Sequence, residues 1–214
     1  MVKVPHKTLE RNLFGQGYKL VIGVDEVGMG CLAGPVVVCA VAFTKRFYDR
    51  SHKKLRWLRD SKLLQAHQRE AFARELMNDD AIRYAVSVVY PEEIDNLNIF
   101  QAARAGMRRS IMRLMSGFEA DGVVVLVDGP HRIVGISHEQ ISIVKGDRKI
   151  FAIACASIIA KVHRDGIMAR YAKRFPGYGF EQHKGYGTTL HRARLAALGP
   201  CPLHRKSFRF RSGA

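Results

Sequence analysis

The sequence lacks the features that mark membrane-spanning, secreted and zinc-binding proteins. No apolar run approaches the roughly 18 consecutive residues that suggest a spanning helix. The four cysteines have no CxxC spacing, which argues against a cysteine-rich metal site and favours reduced thiols that pack as small hydrophobic groups. The opening stretch MVKVPHKTLERNLF is interrupted by charge and proline, so we expect no secretory signal and no membrane association. These absences predict a cytoplasmic protein.

Acidic residues are scarce relative to basic ones. The chain has 35 Lys and Arg against 19 Asp and Glu, a formal net charge of +16. The imbalance is concentrated in residues 151–214, which contain 12 Lys and Arg but only Asp165 and Glu181 as acids. A basic surface attracts polyanions and makes their binding depend on salt. Charge alone leaves two alternatives open, a nucleic-acid partner or merely a soluble basic protein.

The size and the hydrophobic pattern predict a single α/β domain. The 214 residues, 47% of them apolar, are enough to bury a substantial core. Strand-like apolar runs and helical periods alternate without repeats, which favours a mixed sheet flanked by helices. Strands are expected in the first part of 21–35 and at 35–43, 81–90, 122–127 and 141–144, with helices at 65–78, 99–115, 150–173 and 188–198. The first two strands should form a hairpin, and 174–186 should be a loop.

The stretch from Val21 to Pro35 is the centre of the predicted site. An apolar strand ends there in Asp25 and Glu26, and glycines follow at 28, 30 and 34. A carboxylate near the interior is tolerated when it is paired or binds a metal, so a cation is expected. The glycines permit positive φ and let a ligand approach bare backbone amides. Acids for a metal and amides for a phosphate or sugar would therefore lie side by side.

Asp128, at the end of an apolar run, and Asp165, on a predicted helix, are two further candidate ligands. Taken alone, each candidate acid has a simpler interpretation. Asp25 and Asp128 alone suit turns at strand ends, and Asp165 alone suits a helical pair with Lys161. Adjacent strand residues point to opposite faces, so Glu26 can share a metal with Asp25 only if the strand bends or Gly28 lets the chain turn there. Taken together, acids at the ends of two strands and on one helix favour a Mg²⁺ or Mn²⁺ site.

Several motifs resemble those of the type 2 ribonucleases H, the ribonuclease HII family. DEVGMGCLAGPVV, which begins at Asp25, resembles the family signature DExGRGxLAGPVV. Five more motifs follow in the family's order: DSKLL at 60–64, VVVLVDG ending at Gly129, KGD at 145–147, ASIIAKVHRD at 156–165 and HKGYGT at 183–188. The resemblance covers about residues 20–208. It implies a ribonuclease H-like catalytic domain over 1–214, with a small helical and basic C-terminal part, about 174–214, packed on it.

The resemblance also implies an activity and a set of metal ligands. A member of this family is expected to cut the RNA strand of RNA/DNA hybrids. It should also nick duplex DNA on the 5′ side of an embedded ribonucleotide, leaving 3′-hydroxyl and 5′-phosphate ends. Two Mg²⁺ or Mn²⁺ ions would activate the attacking water and stabilise the leaving oxygen. The ligands implied by matching the family's acids to this sequence are Asp25, Glu26, Asp128 and Asp165.

The same resemblance implies which residues bind the substrate. Distinguishing RNA from DNA requires sensing the 2′-hydroxyl, which Gly28, Met29 and Gly30 would do through backbone groups. The Tyr186 ring would lie against the sugar of the next nucleotide. Basic residues expected at phosphates near the site are Lys62, Lys161 and Arg164, and those expected further out are Lys184, Arg205, Lys206, Arg209 and Arg211.

Two alternatives to this function remain open. A type 3 ribonuclease H preference for longer hybrids is disfavoured by the DSK and HKGYGT matches and by the absence of that group's N-terminal extension. A basic nucleic-acid-binding protein without catalysis is disfavoured by the acids, which hinder phosphate binding unless a cation intervenes. The tail shows no QxxLxxFF-like motif for docking on a sliding clamp, and a monomer is expected.

Met29 occupies the position where the family signature has arginine, which predicts weaker substrate binding. Backbone contacts at the flanking glycines survive this change, but a charged contact to phosphate or sugar does not. We predict that Met29→Arg lowers the Kd for a ribonucleotide-containing duplex, measured by fluorescence anisotropy. An unchanged Kd would contradict this interpretation.

Overall fold

The computed structural model describes residues 4–50, 52–116 and 121–208. Among these residues, no helix has both the length and the apolar content required to cross a bilayer. The predicted phosphate contacts Arg209 and Arg211 lie outside the described residues.

A five-stranded mixed sheet forms the centre of the fold, as predicted. The strands are β1 Leu20–Val27, β2 Val36–Thr44, β3 Ile82–Val89, β4 Val123–Asp128 and β5 Glu139–Ile143, in the order β3-β2-β1-β4-β5. β1 pairs antiparallel with β2, which confirms the predicted hairpin, and β2 pairs antiparallel with β3. β1 and β4 are parallel, as are β4 and β5.

The helices predicted at 65–78, 99–115, 150–173 and 188–198 lie close to those positions, and the structure adds shorter ones. In chain order, the helices are α1 Thr8–Gly15, α2 Lys45–Asp49, α3 Ala66–Met77, α4 Pro91–Leu97, α5 Ile99–Met115, α6 Phe151–Arg174, α7 Phe180–His183 and α8 Thr189–Leu198. Short 3₁₀ turns occur at Lys53–Leu55, Ser61–Leu63 and Gly146–Arg148. The predicted loop at 174–186 contains α7, which is a single helical turn.

The sequence pattern did not predict α1, because eight residues are too few for a stable isolated helix. Tertiary contacts stabilise it instead. Leu13 and Phe14 pack into the core, and the buried Glu10 carboxylate accepts a 2.9 Å hydrogen bond from the Ala152 N–H in the first turn of α6. The acid therefore satisfies a free amide at the N-terminus of α6, where negative charge is favourable. Burial raises the pKa of Glu10.

Two hydrophobic layers cover the two faces of the sheet. Alternate β1 side chains such as Val21 pack toward α6, while Ile22 and Val24 pack toward α5. This alternation places Asp25 on the α6 face of the strand and Glu26 on the α5 face. A smaller cluster joins the C-terminal segment to α6 and to the loop after β1, through Ala33, Met168, Tyr178, Phe180 and Leu203.

The first turn of α6 lies directly against β1 at Gly23. A Cβ atom at this position would overlap the carbonyl group of Ala152 and lie 2.7 Å from the Ile153 nitrogen. Because these atoms belong to a helix backbone, they cannot move aside as a side chain does. Gly23 thus sets the closest distance between the sheet and the helix that bounds the site.

We predict that Gly23→Ala lowers the free energy of unfolding by at least about 2 kcal/mol, because it overpacks a helix backbone. Gly15→Ala is the matched control, since a Cβ atom at Gly15 meets no atom within 4 Å. Urea denaturation of both variants measures the difference. Equal stability of the two variants would show that α6 can shift away from the sheet.

Candidate active site

β1 and β4 separate at one end of the sheet, and a pocket opens between them. Their ladder ends at the pair Val24 and Val127. Beyond this point β1 continues beside β2, while Asp128 pairs with Ile143 of β5. A cavity of about 250 Å³ lies at this end and is called the acid pocket below. Its lining includes Asp25, Glu26, the loop from Val27 to Gly30, Ser61, Lys62, Asp128, Asp147, Ser157, Lys161 and Tyr186.

Hydrogen bonds fix the orientation of the carboxylates. Asp25 accepts a 2.7 Å bond from the Glu26 backbone N–H, and Asp128 accepts a 2.6 Å bond from the Gly146 N–H. Asp147 lies in the 3₁₀ turn that follows β5, with its carboxylate 3.5 Å from the Lys62 ammonium. The turn begins at a left-handed residue, φ 58°, which reverses the chain after the strand. Four carboxylates from three separate parts of the chain therefore line one pocket.

Burial and mutual repulsion make the charged forms of these acids unfavourable. Burial, followed by the charges of Glu26 and Asp128, raises the pKa of Asp25 well above its ordinary value. Burial and the charge of Asp128 raise the pKa of Glu26 in the same direction. Acids that repel one another in a poorly solvated pocket are stabilised as carboxylates by a nearby cation.

The donor set fits a hard divalent ion that retains part of its hydration. Within the described ranges, no group of three or more acidic, histidine or cysteine side chains is arranged to hold a metal ion by itself. Mg²⁺ is commonly bound by one or two carboxylates together with waters and substrate phosphates, so a complete protein cage is not required. All the acids of the pocket supply oxygen ligands, which suit Mg²⁺ and Mn²⁺.

The structure does not bring Asp165, one of the four predicted ligands, to the acid pocket. Its carboxylate lies 2.7 Å from the Lys161 ammonium and 3.6 Å from the Arg69 guanidinium. It lines a neighbouring cavity with Lys184. Ser157 and Lys161 reach the acid pocket from the same helix, but eight residues of helix separate Asp165 from Ser157 by about 12 Å. The simpler interpretation of Asp165, a pair with Lys161, describes what the structure shows.

Asp147 is the acid that the sequence interpretation missed. The KGD motif contains it, but the sequence analysis assigned no metal role to it. A signal was present, since Asp147 comes shortly after a strand that was predicted to lie in the sheet, as do Asp25 and Asp128. Only the parallel pairing of β4 with β5 shows that the end of β5 lies beside the ends of the other two strands.

The loop from Gly28 to Gly34, called the glycine loop below, lies directly over Arg164. Gly28 has φ 106°, and a Cβ atom there would overlap Arg164 Nε and lie 2.8 Å from the Pro35 carbonyl oxygen. Gly30, in contrast, has nothing within 4 Å of an added Cβ. The Met29 side chain packs against the α5 side of the core. The loop therefore needs glycine at position 28 for its conformation, while position 30 is open to a ligand.

Two predicted phosphate contacts, Arg164 and Arg205, are fully buried instead. Arg164 donates to the carbonyl oxygens of Pro35 at 2.9 Å and Lys184 at 2.8 Å. Because these guanidinium groups lie inside the protein and donate to backbone oxygens, neither is placed to meet a substrate phosphate. The predicted roles of Arg164 and Arg205 are corrected accordingly.

Arg205 connects the C-terminal segment to the glycine loop. Its guanidinium donates to the carbonyl oxygens of Met29 at 2.9 Å, Gly28 at 2.7 Å and Gly34 at 2.9 Å. A fork of donors is suited to several acceptors in fixed positions. Arg205 thus holds both ends of the loop from a position 177 residues away in sequence.

Tyr186 and two lysines form the rim of the acid pocket. The tyrosine is 37% exposed, with Lys161 Nζ 5.7 Å and the Arg164 guanidinium 5.6 Å from its ring centre. Its carbonyl oxygen accepts a 2.9 Å bond from Nδ1 of the buried His191. The Lys62 side chain is 68% exposed, whereas that of Lys161 is 14% exposed. Lys62 is therefore the more accessible cation for a phosphate at the site.

The two remaining basic candidates lie away from the acid pocket. Lys184 donates to the Glu181 carbonyl oxygen at 2.7 Å and lines the neighbouring cavity that contains Asp165. Lys206 lines a separate cavity with Asp95, whose carboxylate accepts a bond from the Lys206 backbone N–H. Both residues were expected to hold the duplex further out from the site, and that role stays a prediction.

Comparison with known proteins identifies relatives that match most of the chain. The family model of ribonuclease HII matches residues 22–211. The ribonuclease HII of Carboxydothermus hydrogenoformans is 44% identical over 200 residues, which cover 94% of this chain and 81% of that protein. The ribonuclease HII of Chlorobium phaeobacteroides is 44% identical over 192 residues, which cover 90% of this chain and 91% of that protein.

Solved structures of similar proteins share the fold. The RNase HII of Archaeoglobus fulgidus, solved in complex with PCNA, aligns with a TM-score of 0.71 and 28% identity over 91% of this chain and 98% of that chain. Bst-RNase HIII, solved in complex with Mn²⁺, aligns with a TM-score of 0.68 and 19% identity over 92% of this chain and 69% of that chain. At this lower identity the second match bears on the fold alone.

We predict that Arg205→Met lowers the free energy of unfolding by at least about 3 kcal/mol, because the carbonyl groups of Gly28, Met29 and Gly34 lose the bonds that the guanidinium donates. Arg205→Lys should be intermediate, since an ammonium keeps the charge but cannot reach all the acceptors. Lys206→Met is the matched control, because the Lys206 side chain is exposed. Urea denaturation compares the three variants. If Arg205→Met were as stable as Lys206→Met, water would be replacing the guanidinium.

Proposed function

The chain belongs to the ribonuclease HII family of RNA-degrading endonucleases, and we propose that it is a divalent-metal-dependent enzyme. It cuts the RNA strand of RNA/DNA hybrids and nicks duplex DNA on the 5′ side of an embedded ribonucleotide, leaving 3′-hydroxyl and 5′-phosphate ends. The observation that supports this most directly is the acid pocket, where four carboxylates lie beside the backbone amides of the glycine loop. We propose that it acts in the cytoplasm as a monomer and removes ribonucleotides from DNA.

The proposed metal ligands are Asp25, Glu26, Asp128 and Asp147. Asp147 replaces Asp165 of the set expected from sequence, because Asp147 lines the acid pocket and Asp165 does not. These four residues would hold Mg²⁺ or Mn²⁺, which would supply a lowered pKa for the attacking water and charge stabilisation for the leaving 3′ oxygen. Because the attacking water would be activated at a metal held by these carboxylates, the mechanism requires no histidine base.

The chain's own residues position the substrate around these acids. The exposed Lys62 ammonium binds a nonbridging phosphate oxygen, and its 3.5 Å contact with Asp147 keeps it at the pocket. Gly28, Met29 and Gly30 present backbone groups to the ribose, which is how the 2′-hydroxyl is recognised. Tyr186 supports the next sugar with the exposed part of its ring. Arg205 and Arg164 act indirectly. Arg205 holds the glycine loop, and Arg164 joins that loop to the segment that carries Tyr186 by donating to the carbonyl oxygens of Pro35 and Lys184.

The function is tested with a labelled DNA duplex that contains one ribonucleotide, incubated with Mg²⁺ or Mn²⁺. A single nick on the 5′ side of the ribonucleotide is expected, and EDTA should abolish it. An all-RNA strand paired with DNA is tested in parallel. Faster cleavage of the long hybrid, with little nicking at the single ribonucleotide, would favour the type 3 preference. Binding without cleavage under any of these conditions, in protein shown to be folded, would reject the proposal.

Asparagine substitutions distinguish the two acids that are candidates for the fourth place in the proposed ligand set. We predict that Asp147→Asn lowers kcat at least about 100-fold, because a lost ligand removes several kcal/mol of charge stabilisation. Asp165→Asn should stay within about tenfold of the unmodified protein, since it removes only a pair with Lys161 and Arg69. Steady-state nicking rates and thermal unfolding are measured for both. A loss at Asp165 equal to that at Asp147 would restore Asp165 to the proposed ligand set.

A further inference from the structure

Trp57, the single tryptophan of the chain, projects into solvent from a rigidly held turn. Trp57 is 66% exposed, whereas Leu55 and Leu58 on either side are buried, with only 4% and 0% of their surface exposed. The Leu58 N–H bonds to the Leu55 carbonyl oxygen at 3.1 Å, which closes the turn. Residues 53–58 are called the Trp57 turn below. Since both leucines are anchored in the core, the turn keeps the indole directed outward.

The Trp57 turn lies in a strongly basic part of the chain. Residues 45–62 contain eight Lys and Arg and only two acids. Lys54 pairs with Glu75 at 3.0 Å, and Arg46 pairs with Asp80 at 3.5 Å. The Arg56 guanidinium lies over the indole, 5.2 Å from the ring centre. Within the described part of the chain, neither Lys53 nor Arg56 forms an ion pair with an acid, so the turn presents positive charge beside an accessible aromatic ring.

The turn is connected to the acid pocket by a short and well-fixed segment. Asp60 is 2% exposed, and its carboxylate accepts bonds from the Lys62 N–H at 2.9 Å and from Arg148 Nε at 3.0 Å. Ser61 and Lys62 line the acid pocket itself. Five residues separate Trp57 from Lys62 and span at most about 17 Å when fully extended. This length equals about five nucleotide steps of roughly 3.4 Å.

We propose that the Trp57 turn is a second nucleic-acid contact, which binds the sugar–phosphate backbone of a substrate duplex within about five base pairs of the acid pocket. The substrate class rests on the proposed function. Arg56 and Lys53 bind phosphates, while the indole packs against the sugars between them. An exposed ring that lies under a guanidinium, in a segment with eight Lys and Arg against two acids, suits a polyanion rather than an apolar protein surface.

The single tryptophan gives a direct test, because its emission reports on the Trp57 turn alone. The Asp128→Asn variant, used to prevent cleavage, is titrated with a DNA duplex that contains one ribonucleotide and about twelve base pairs on each side. Indole quenching is expected, with the same midpoint as the fluorescence anisotropy of the labelled duplex. Emission that stays unchanged when anisotropy shows saturation would overturn the proposal and leave the ring available for another kind of partner.

Substitutions in the otherwise unmodified chain test whether the contact contributes to affinity. Trp57→Ala should raise Kd and KM about tenfold with kcat unchanged, since the variant loses the apolar contact between the indole and the sugars. Trp57→Phe should restore most of the affinity, and Arg56→Gln should weaken binding and reduce its salt dependence. Arg46→Gln is the matched control, because Arg46 belongs to the same basic segment but is already paired with Asp80. An unchanged Kd in Trp57→Ala would overturn the proposal.

The design separates failure of this inference from failure of the proposed function. If the unmodified chain nicks the duplex but Trp57→Ala binds equally well, the Trp57 contact is rejected and the function stands. If the unmodified chain neither binds nor nicks the duplex, the function and the contact that rests on it are both rejected. Thermal unfolding of Trp57→Ala should match the unmodified chain, because an exposed ring contributes little to the core.

Discussion

The separation of β1 from β4 is the constraint on which the site depends. Where the two strands are paired, their side chains pack in the hydrophobic layers on either face of the sheet. Beyond Val24 and Val127 each strand keeps a different neighbour, so the acids that follow line a common pocket. This explains how Asp25 and Glu26, which leave the strand on opposite faces, both reach it. The charge repulsion that results is what makes a cation favourable there.

The loop beside this pocket is held by backbone hydrogen bonds from distant residues. Arg164 and Arg205 are buried without a carboxylate bonded to either guanidinium among the described residues, and carbonyl oxygens accept from both. Such an arrangement exchanges hydration of a charged group for several directed bonds, which is favourable when the acceptors are already fixed. The positive charges also lie beneath a loop proposed to approach a phosphate. Rigid geometry and electrostatic attraction therefore have the same origin.

Local patterns were sufficient to predict most elements and part of the site. Continuous apolar runs predicted the strands, and the 3.6-residue period predicted α5 with the bounds that the structure shows. Asp25, Glu26 and Asp128 were recognisable because each follows such a run. The pattern was less informative for α1, whose stability comes from contacts with α2 and α6, and for Asp165, whose motif resembled the family without showing which pocket it lines.

The sequence by itself determined the α/β alternation, the basic character, the family resemblance and three of the four acids in the pocket, because these follow from local periodicity, composition and short motifs. Only the tertiary structure decided that Asp147 rather than Asp165 completes the pocket and that Arg164 and Arg205 are internal supports. Both decisions depend on which strand ends lie side by side and which carbonyl groups need donors. Those are relations between residues far apart in the chain, and a one-dimensional pattern does not contain them.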